Sequence, residues 1–258
     1  MNAQTSSKLF DAKAERYAAS KTNSWDRLRY DVWTANIEKH VSKERLRVLD
    51  AGGGDGLDTL IWARKGHEVT LLDSSPKMLE EAKKRIEAEE LEAKVTFHEA
   101  SLAELPSLGS TFDLILCHNV LPYLDDVSAA LEQLKSATKA GGILSVICLN
   151  QYSEPFRQAV QQMDTEAALR TLNSKTYTTA AFGVPVTLFT ADEMTSLANE
   201  QGLRLAASYG VRCANDYIPN DVKRNYEEML RLELALTGRH PYYLLARFFQ
   251  LILKKESS

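Results

Sequence analysis

Two periods of apolar residues alternate along this chain. Trp25, Leu28, Val32, Trp33 and Ile37 recur at spacings of three and four, the period of one helical face, and predict an amphipathic helix. A shorter helical pattern carrying Phe10, Ala14 and Tyr17 precedes it over residues 8–21. Short apolar runs then predict strands over 46–50, 68–73, 93–98, 112–117, 143–148 and 203–211. A last strand over 242–253 turns back antiparallel through 238–241. Helical patterns lie between most of these runs, at 57–65, 126–138, 191–201 and 221–236. Ser75 and Pro76 open another, as N-cap and first helical residue, with Met78, Leu79, Ala82 and Ile86 on its buried face. Thr190 and Glu193 form a capping box, and Asp125 and Asp126 precede a helix as capping acids. Lys139-Ala140-Gly141-Gly142 reads as a glycine-terminated helix end.

Strands that alternate with helices every 20–30 residues predict a doubly wound, seven-stranded, mostly parallel Rossmann-like α/β sheet. The 258 residues divide as one domain, with N-terminal lid helices (1–45) and a nucleotide-binding half (46–150). A small cap insertion follows (151–188), and 189–258 complete the sheet. The cap, a helical piece near 154–170 followed by a Ser/Thr-rich stretch, is too short to hold a core alone.

The chemistry starts at Leu46-Arg47-Val48-Leu49-Asp50-Ala51-Gly52-Gly53-Gly54-Asp55-Gly56, an apolar run ending in an acid and a glycine turn. Such a turn lets backbone approach a ligand, and the helix start beyond it offers unpaired N–H groups. Asp73, with Ser74 beside it, ends the next strand seventeen residues after Gly56, where nucleotide-binding sheets place a carboxylate for ribose hydroxyls. A dinucleotide site would have glycine at position 57, which is Leu57, and the acid Asp55 would repel pyrophosphate. The loop suits a ribose ligand that carries positive charge.

The ordered set Leu-Asp-Ala-Gly-Gly-Gly-Asp-Gly, Asp73, Phe112-Asp113-Leu114-Ile115 and the Lys-Ala-Gly-Gly turn resembles the class I S-adenosylmethionine-dependent methyltransferases, as does the lid segment Phe10-Asp11-x-x-Ala14-Glu15-x-Tyr17. The resemblance implies S-adenosylmethionine as cofactor. It puts Gly52, Gly53 and Gly54 at the methionine end beside Asp50, Asp73 on the ribose, Leu102 against the adenine and His118 near the methionine portion. The C-terminal pattern Tyr209-Gly210-Val211-Arg212-x-x-x-Asp216-Tyr217, Tyr226-Glu227, Leu232-Glu233-Leu234 and Pro241-Tyr242 resembles bacterial tRNA 5-carboxymethoxyuridine methyltransferases. By that resemblance Arg29 reaches the cofactor's carboxylate, a pairing suited to guanidinium geometry.

A carboxylate acceptor needs a cation rather than a base, and Arg212 is the candidate; a strand-end pair with Asp216 is the other reading of it. A hydroxyl or amine acceptor would need a general base, for which His118 is best placed, against a cofactor-contacting or packed histidine. Tyr17, Tyr123, Asn150 and Tyr217 are acceptor-pocket candidates from strand ends and lid.

Composition narrows the acceptor. Net charge is −4, so no global basic field marks a nucleic-acid partner. The cap holds Arg157, Arg170 and Lys175 against Glu154, Asp164 and Glu166, nearly neutral where an RNA-binding cap should be basic. Lys223, Arg224, Arg231, Arg239 and Arg247 form either a patch or plain solvated surface. The partner is therefore tRNA or a small-molecule acceptor methylated on oxygen or nitrogen, and a non-catalytic cofactor sensor is the third reading. Three scattered cysteines, with no disulfide or metal spacing, indicate the cytoplasm and no metal. Residues 1–7 do not read as a signal peptide, and no apolar run approaches the ~20 residues of a membrane span.

Overall fold

A computed structural model describes residues 10–12, 14, 24–42, 44–179, 182–219 and 222–256. The strands are β1 (Arg47–Ala51), β2 (Glu68–Asp73), β3 (Val95–Glu99), β4 (Phe112–His118), β5 (Thr138–Leu149), β6 (Thr176–Thr178), β7 (Pro185–Thr187), β8 (Leu203–Val211) and β9 (Phe248–Lys255). The helices are α1 (Ser24–Glu38), α2 (Leu57–Arg64), α3 (Pro76–Glu87), α4 (Val127–Ala137), α5 (Ser153–Val160), α6 (Thr165–Thr171), α7 (Ala191–Glu200) and α8 (Tyr226–Leu236). Seven strands form one sheet in the order β3-β2-β1-β4-β5-β9-β8. The first five are parallel, and β9 runs antiparallel to both neighbours. Strand order reverses between β1 and β4, so the crevice for a ligand opens beyond their C-terminal ends.

Periodicity explains the layers. Leu28, Val32, Trp33 and Ile37 line the buried face of α1. With α2, α3 and α8 that helix covers one side of the sheet, where Trp62, Ile86 and Met229 pack. The other side takes α4 and α7, through Leu131, Leu134, Met194 and Ala198. The expected caps form: Ser75 accepts from Met78, Asp126 from Ala129, and Thr190 and Glu193 close the capping box.

Several elements differ from the sequence pattern. Glycine does not terminate α4; the Thr138 hydroxyl does, donating to the Leu134 carbonyl at 2.8 Å. Thr138 then pairs with Phe112 and Ile143 with Leu114, so 139–142 bulge out of β5. The single cap helix splits into α5 and α6, and the Ser/Thr-rich stretch forms the β6–β7 hairpin. Residues 242–245 make a short 3-10 turn rather than strand, and α8 starts at Tyr226, capped by Asn225. The helix expected over 8–21 and Tyr17 fall outside the described residues, apart from 10–12 and 14.

Asn150, expected in the acceptor pocket, is instead a buried bracket. Its Nδ2 donates to the carbonyls of Leu244 (2.8 Å) and Ala246 (3.0 Å), and its Oδ1 accepts from the Tyr152 amide at 3.2 Å. Tyr217 plays a similar part: its hydroxyl donates to the Leu245 carbonyl and its ring meets Phe156 edge-on. Both side chains pin the end of the sheet to the cap and line neither cavity described below.

Asn150→Ala would leave two carbonyls without donors and is expected to cost about 2–4 kcal/mol in chemical denaturation. Gly56 precedes α2 with φ 74°, and a Cβ there would lie 2.9 Å from Cβ of Ala82. Gly56→Ala is expected to destabilise by about 2 kcal/mol, read as a lowered unfolding midpoint.

Candidate active site

The turn after β1 hangs from β2. The amides of Gly52 and Gly53 donate to the Leu72 carbonyl at 2.7 and 3.2 Å. The Gly54 amide donates to Asp73 Oδ2 at 2.8 Å, and the Ser75 amide to Oδ1 at 2.9 Å. Gly54 has φ 54° and no atom within 4 Å of where a Cβ would stand, so its missing side chain leaves room in the crevice. The N-terminal segment reaches the same place: Asp11 accepts from the Ser75 hydroxyl at 2.6 Å.

Two cavities meet here. The first, of about 440 Å³, is lined by Gly52, Gly54, Asp73, Ser74, Leu102 and Met78, with Phe10, Tyr123 and Phe182 as its roof. These three rings pack edge-on, Phe10 4.8 Å from Phe182 and 5.4 Å from Tyr123. A recess of about 60 Å³ continues the crevice between Gly52, Gly53, Gly54 and Asp50 on one side and Arg29, Tyr30 and Trp33 on the other. The Arg29 guanidinium lies over the Tyr30 and Trp33 rings at 5.1 and 5.9 Å.

Carboxylates crowd the turn. Asp50 is buried and accepts from the Thr59 hydroxyl at 2.7 Å. Burial, then the nearby Asp58 and Asp73 charges, push its pKa up to about 8, although the Thr59 bond opposes this. Asp73 is pushed up to about 6, by burial first, against the pull of its two amide bonds. Among the described residues no cation forms an ion pair with either. A ligand bearing a cationic centre, a carboxylate and a ribose fits this donor set: acids and Arg29 at one end, Asp73 at the other. Asp55 contributes less than expected. It lines the recess but pairs with Arg85, 3.0 Å from its guanidinium, which offsets part of its repulsion of pyrophosphate.

His118 lines both the first cavity and the recess. Its side chain is buried beside Trp33, with Nδ1 2.9 Å from the Asp58 carboxylate and Nε2 3.0 Å from the Ser145 hydroxyl. Asp58 further accepts from Trp33 Nε1 at 2.9 Å, and Gln250 donates to Ser145 at 3.1 Å. Asp58 therefore holds the proton on Nδ1, and Nε2 accepts from Ser145. Neither nitrogen is left to act as a general base.

The second cavity, of about 620 Å³, adjoins the first through Asn119, Tyr123 and Phe182. Five arginines line it, Arg29, Arg157, Arg212, Arg224 and Arg247, against the acids Asp26 and Asp216. Arg212 pairs with Asp216, as one reading of the sequence held, and also faces the cavity; its Nε is buried without a hydrogen-bond partner. Burial lowers its pKa from the usual arginine range, with Asp216 opposing. Arg247 is no surface charge: it is buried, 2.6 Å from Glu154, and stacks over Tyr177 at 5.1 Å. Glu154 also holds Arg157 at 3.1 Å. Sequence reasoning missed Arg157 and Tyr177 as cavity residues, and took Arg224 and Arg247 for surface. Their positions depend on residues 151–188 folding back over the start of β9, which no local spacing encodes. Lys223, Arg231 and Arg239 are exposed.

Among the described residues no cluster of His, Cys, Asp and Glu could hold a metal ion, and no helix is long and apolar enough to cross a membrane. The three cysteines are free and buried.

Residues 48–142 match the family model described as a methyltransferase domain. Over 220 residues the chain is 30% identical to the tRNA 5-carboxymethoxyuridine methyltransferase of Escherichia coli K12, covering 83% of this chain and 82% of that one. It is 32% identical over 121 residues to the malonyl-[acyl-carrier protein] O-methyltransferase of Hamiltonella defensa, covering 46% and 44% of the two chains. Its fold is similar to a Listeria monocytogenes protein solved as a putative S-adenosylmethionine-dependent methyltransferase, at TM-score 0.62 and 16% identity, covering 89% and 98%. It is also similar to a Burkholderia thailandensis N1-methyltransferase solved with S-adenosylhomocysteine, at TM-score 0.58 and 15% identity, covering 100% and 92%. With the glycine turn, the seven-stranded order and a relative matched over most of both chains, this protein belongs to the class I S-adenosylmethionine-dependent methyltransferases, enzymes that take their methyl group from that cofactor.

Proposed function

We propose that this enzyme methylates a carboxylate, and that the acceptor is the carboxymethoxy group of a modified uridine in tRNA. The observation that carries the reading is the arginine-lined cavity beside the cofactor crevice. Such a cavity selects anions, and a carboxylate is ionised at neutral pH, so no base is required. The engaged nitrogens of His118 agree with this. The E. coli relative, by its name, acts on a carboxymethoxyuridine.

S-adenosylmethionine supplies a sulfonium methyl already activated for displacement. The chain's part is positioning. Asp73 and Ser74 take the ribose end, Leu102 flanks the adenine, and Gly52, Gly53, Gly54 and Asp50 surround the cationic end while Arg29 takes the carboxylate. Arg212 holds the acceptor carboxylate, with Tyr123 as the wall shared by both cavities. Phe10 and Phe182 exclude water. The product ester is neutral, so the guanidinium cavity loses its partner on transfer and releases it. The three buried, free cysteines support a cytoplasmic location.

One observation favours a second reading, a small carboxylic acid enclosed under the roof. In the cap, Arg157 pairs inward with Glu154 and Lys175 with Glu193, which leaves little outward positive charge for RNA phosphates.

The first of three measurements separates these readings, and the other two test the residue roles. The chain is incubated with methyl-labelled cofactor and either total bacterial tRNA or an organic-acid extract, followed by mass spectrometry of nucleosides and acids. A base-labile methyl on a tRNA nucleoside is expected; label only in the acids overturns the tRNA acceptor. Arg212→Ala is expected to lower kcat/KM about 100-fold, with S-adenosylhomocysteine affinity within about twofold of the parent by calorimetry. For Asp73, the ionised carboxylate accepts from ribose hydroxyls, and its pKa stands near 6. Affinity for S-adenosylhomocysteine should therefore fall as pH drops through 6, and Asp73→Asn should bind weakly without that step.

A further inference from the structure

The turn that carries Arg212 is held open in an unfavourable shape. Arg212 follows β8 with φ 62°, a left-handed conformation that costs a non-glycine residue on the order of 1 kcal/mol or more. Three successive amides beyond it, those of Cys213, Ala214 and Asn215, donate to one carboxylate, Glu233, at 2.6, 2.9 and 2.8 Å. Glu233 sits in the second half of α8 with no exposed surface. Among the described residues no cation forms an ion pair with it. Four residues on, Thr237 fixes the other flank: its hydroxyl donates to the Gly210 carbonyl at 2.6 Å, and its own carbonyl accepts from the Gly210 amide at 2.7 Å. The Arg247 amide closes on the Arg212 carbonyl at 3.2 Å.

A buried carboxylate without a cation is a costly way to fill space; an apolar side chain of similar volume would pack there at less cost. What only an acid supplies is two acceptor oxygens for three converging N–H groups. Those amides belong to the turn that presents Arg212, Asn215 and Asp216 to the second cavity. We infer that Glu233 is a positioning residue for the acceptor: its carboxylate templates the 213–215 backbone and so aims the Arg212 guanidinium at the acceptor's anionic group. The inference rests on the reading of the arginine-lined cavity as the acceptor site. Glu233 touches neither cofactor nor acceptor, so its effect must pass through Arg212.

Glu233→Gln keeps the shape and removes one strong acceptor. With tRNA as acceptor, KM is expected to rise about tenfold, while kcat and S-adenosylhomocysteine affinity stay within about twofold. In the Arg212→Ala background the same substitution should add nothing to KM, because the guanidinium it aims is gone. An equal rise in both backgrounds, or an equal loss of cofactor affinity, would make Glu233 an ordinary stabiliser and overturn the inference. A second readout needs no acceptor: phenylglyoxal labelling followed by peptide mass spectrometry. Arg212 should react about tenfold faster in Glu233→Gln than in the parent, with Arg29 unchanged; equal Arg212 rates would refute the positioning role. Absence of turnover by the parent on tRNA would count against the acceptor reading alone, and the labelling would still decide on Glu233. Should Glu233→Gln not fold, Glu233→Asp, one methylene shorter, is expected to give the same labelling and KM pattern.

Discussion

The bond from the Gly54 amide to the Asp73 carboxylate governs this structure. It ties the turn after β1 to the end of β2 at the crevice where the strand order reverses. The glycine turn can then stand open over the cofactor crevice without a side chain to fill it. The same carboxylate takes the Ser75 amide, which begins α3, and the Ser75 hydroxyl in turn donates to Asp11 of the N-terminal segment. One acid thus registers a turn, a helix start and, through Ser75, the N-terminal segment against each other. It is pushed above the usual carboxylate range because burial outweighs those bonds, so a ligand that donates hydrogen bonds to it would favour its charged form.

The two sides of the site divide charge between them. Carboxylates dominate beside the glycine turn, where burial and then the charges of Asp58 and Asp73 push the Asp50 carboxyl above the usual range. Guanidinium groups dominate beyond Asn119 and Tyr123. This field draws a cationic methyl donor toward the glycine turn and favours anions in the second cavity. Inside each half the protein's own pairs trim the charge, Asp216 on Arg212 and Glu154 on Arg157 and Arg247. That trimming keeps the arginines from repelling one another while leaving the cavity positive.

Residues that looked like chemistry often proved to be joinery, for a shared reason: polar side chains at strand ends must satisfy the backbone where the sheet stops. Asn150 and Tyr217 complete the carbonyls of 244–246, and His118 completes a chain that runs from Asp58 through Ser145 to Gln250. Asp55, read as a charge facing the ligand, pairs with Arg85 from α3. In each case the partner is distant in sequence.

By itself the sequence determined the layer order, the glycine turn, the acid closing β2 and the caps of α3, α4 and α7. These depend on periods and spacings within a dozen residues, where local sterics and nearby hydrogen bonds decide the backbone. The resemblance of its ordered motifs to a known family reached the cofactor the same way. Tertiary structure alone decided which arginines face the second cavity, because Arg157, Arg212, Arg224 and Arg247 come from residues 151–188, the end of β8, the approach to α8 and the start of β9. It also decided that His118 is occupied and that Glu233 supports the turn of Arg212. The direction of a long side chain is set by what packs against it, and here those neighbours come from the far end of the chain.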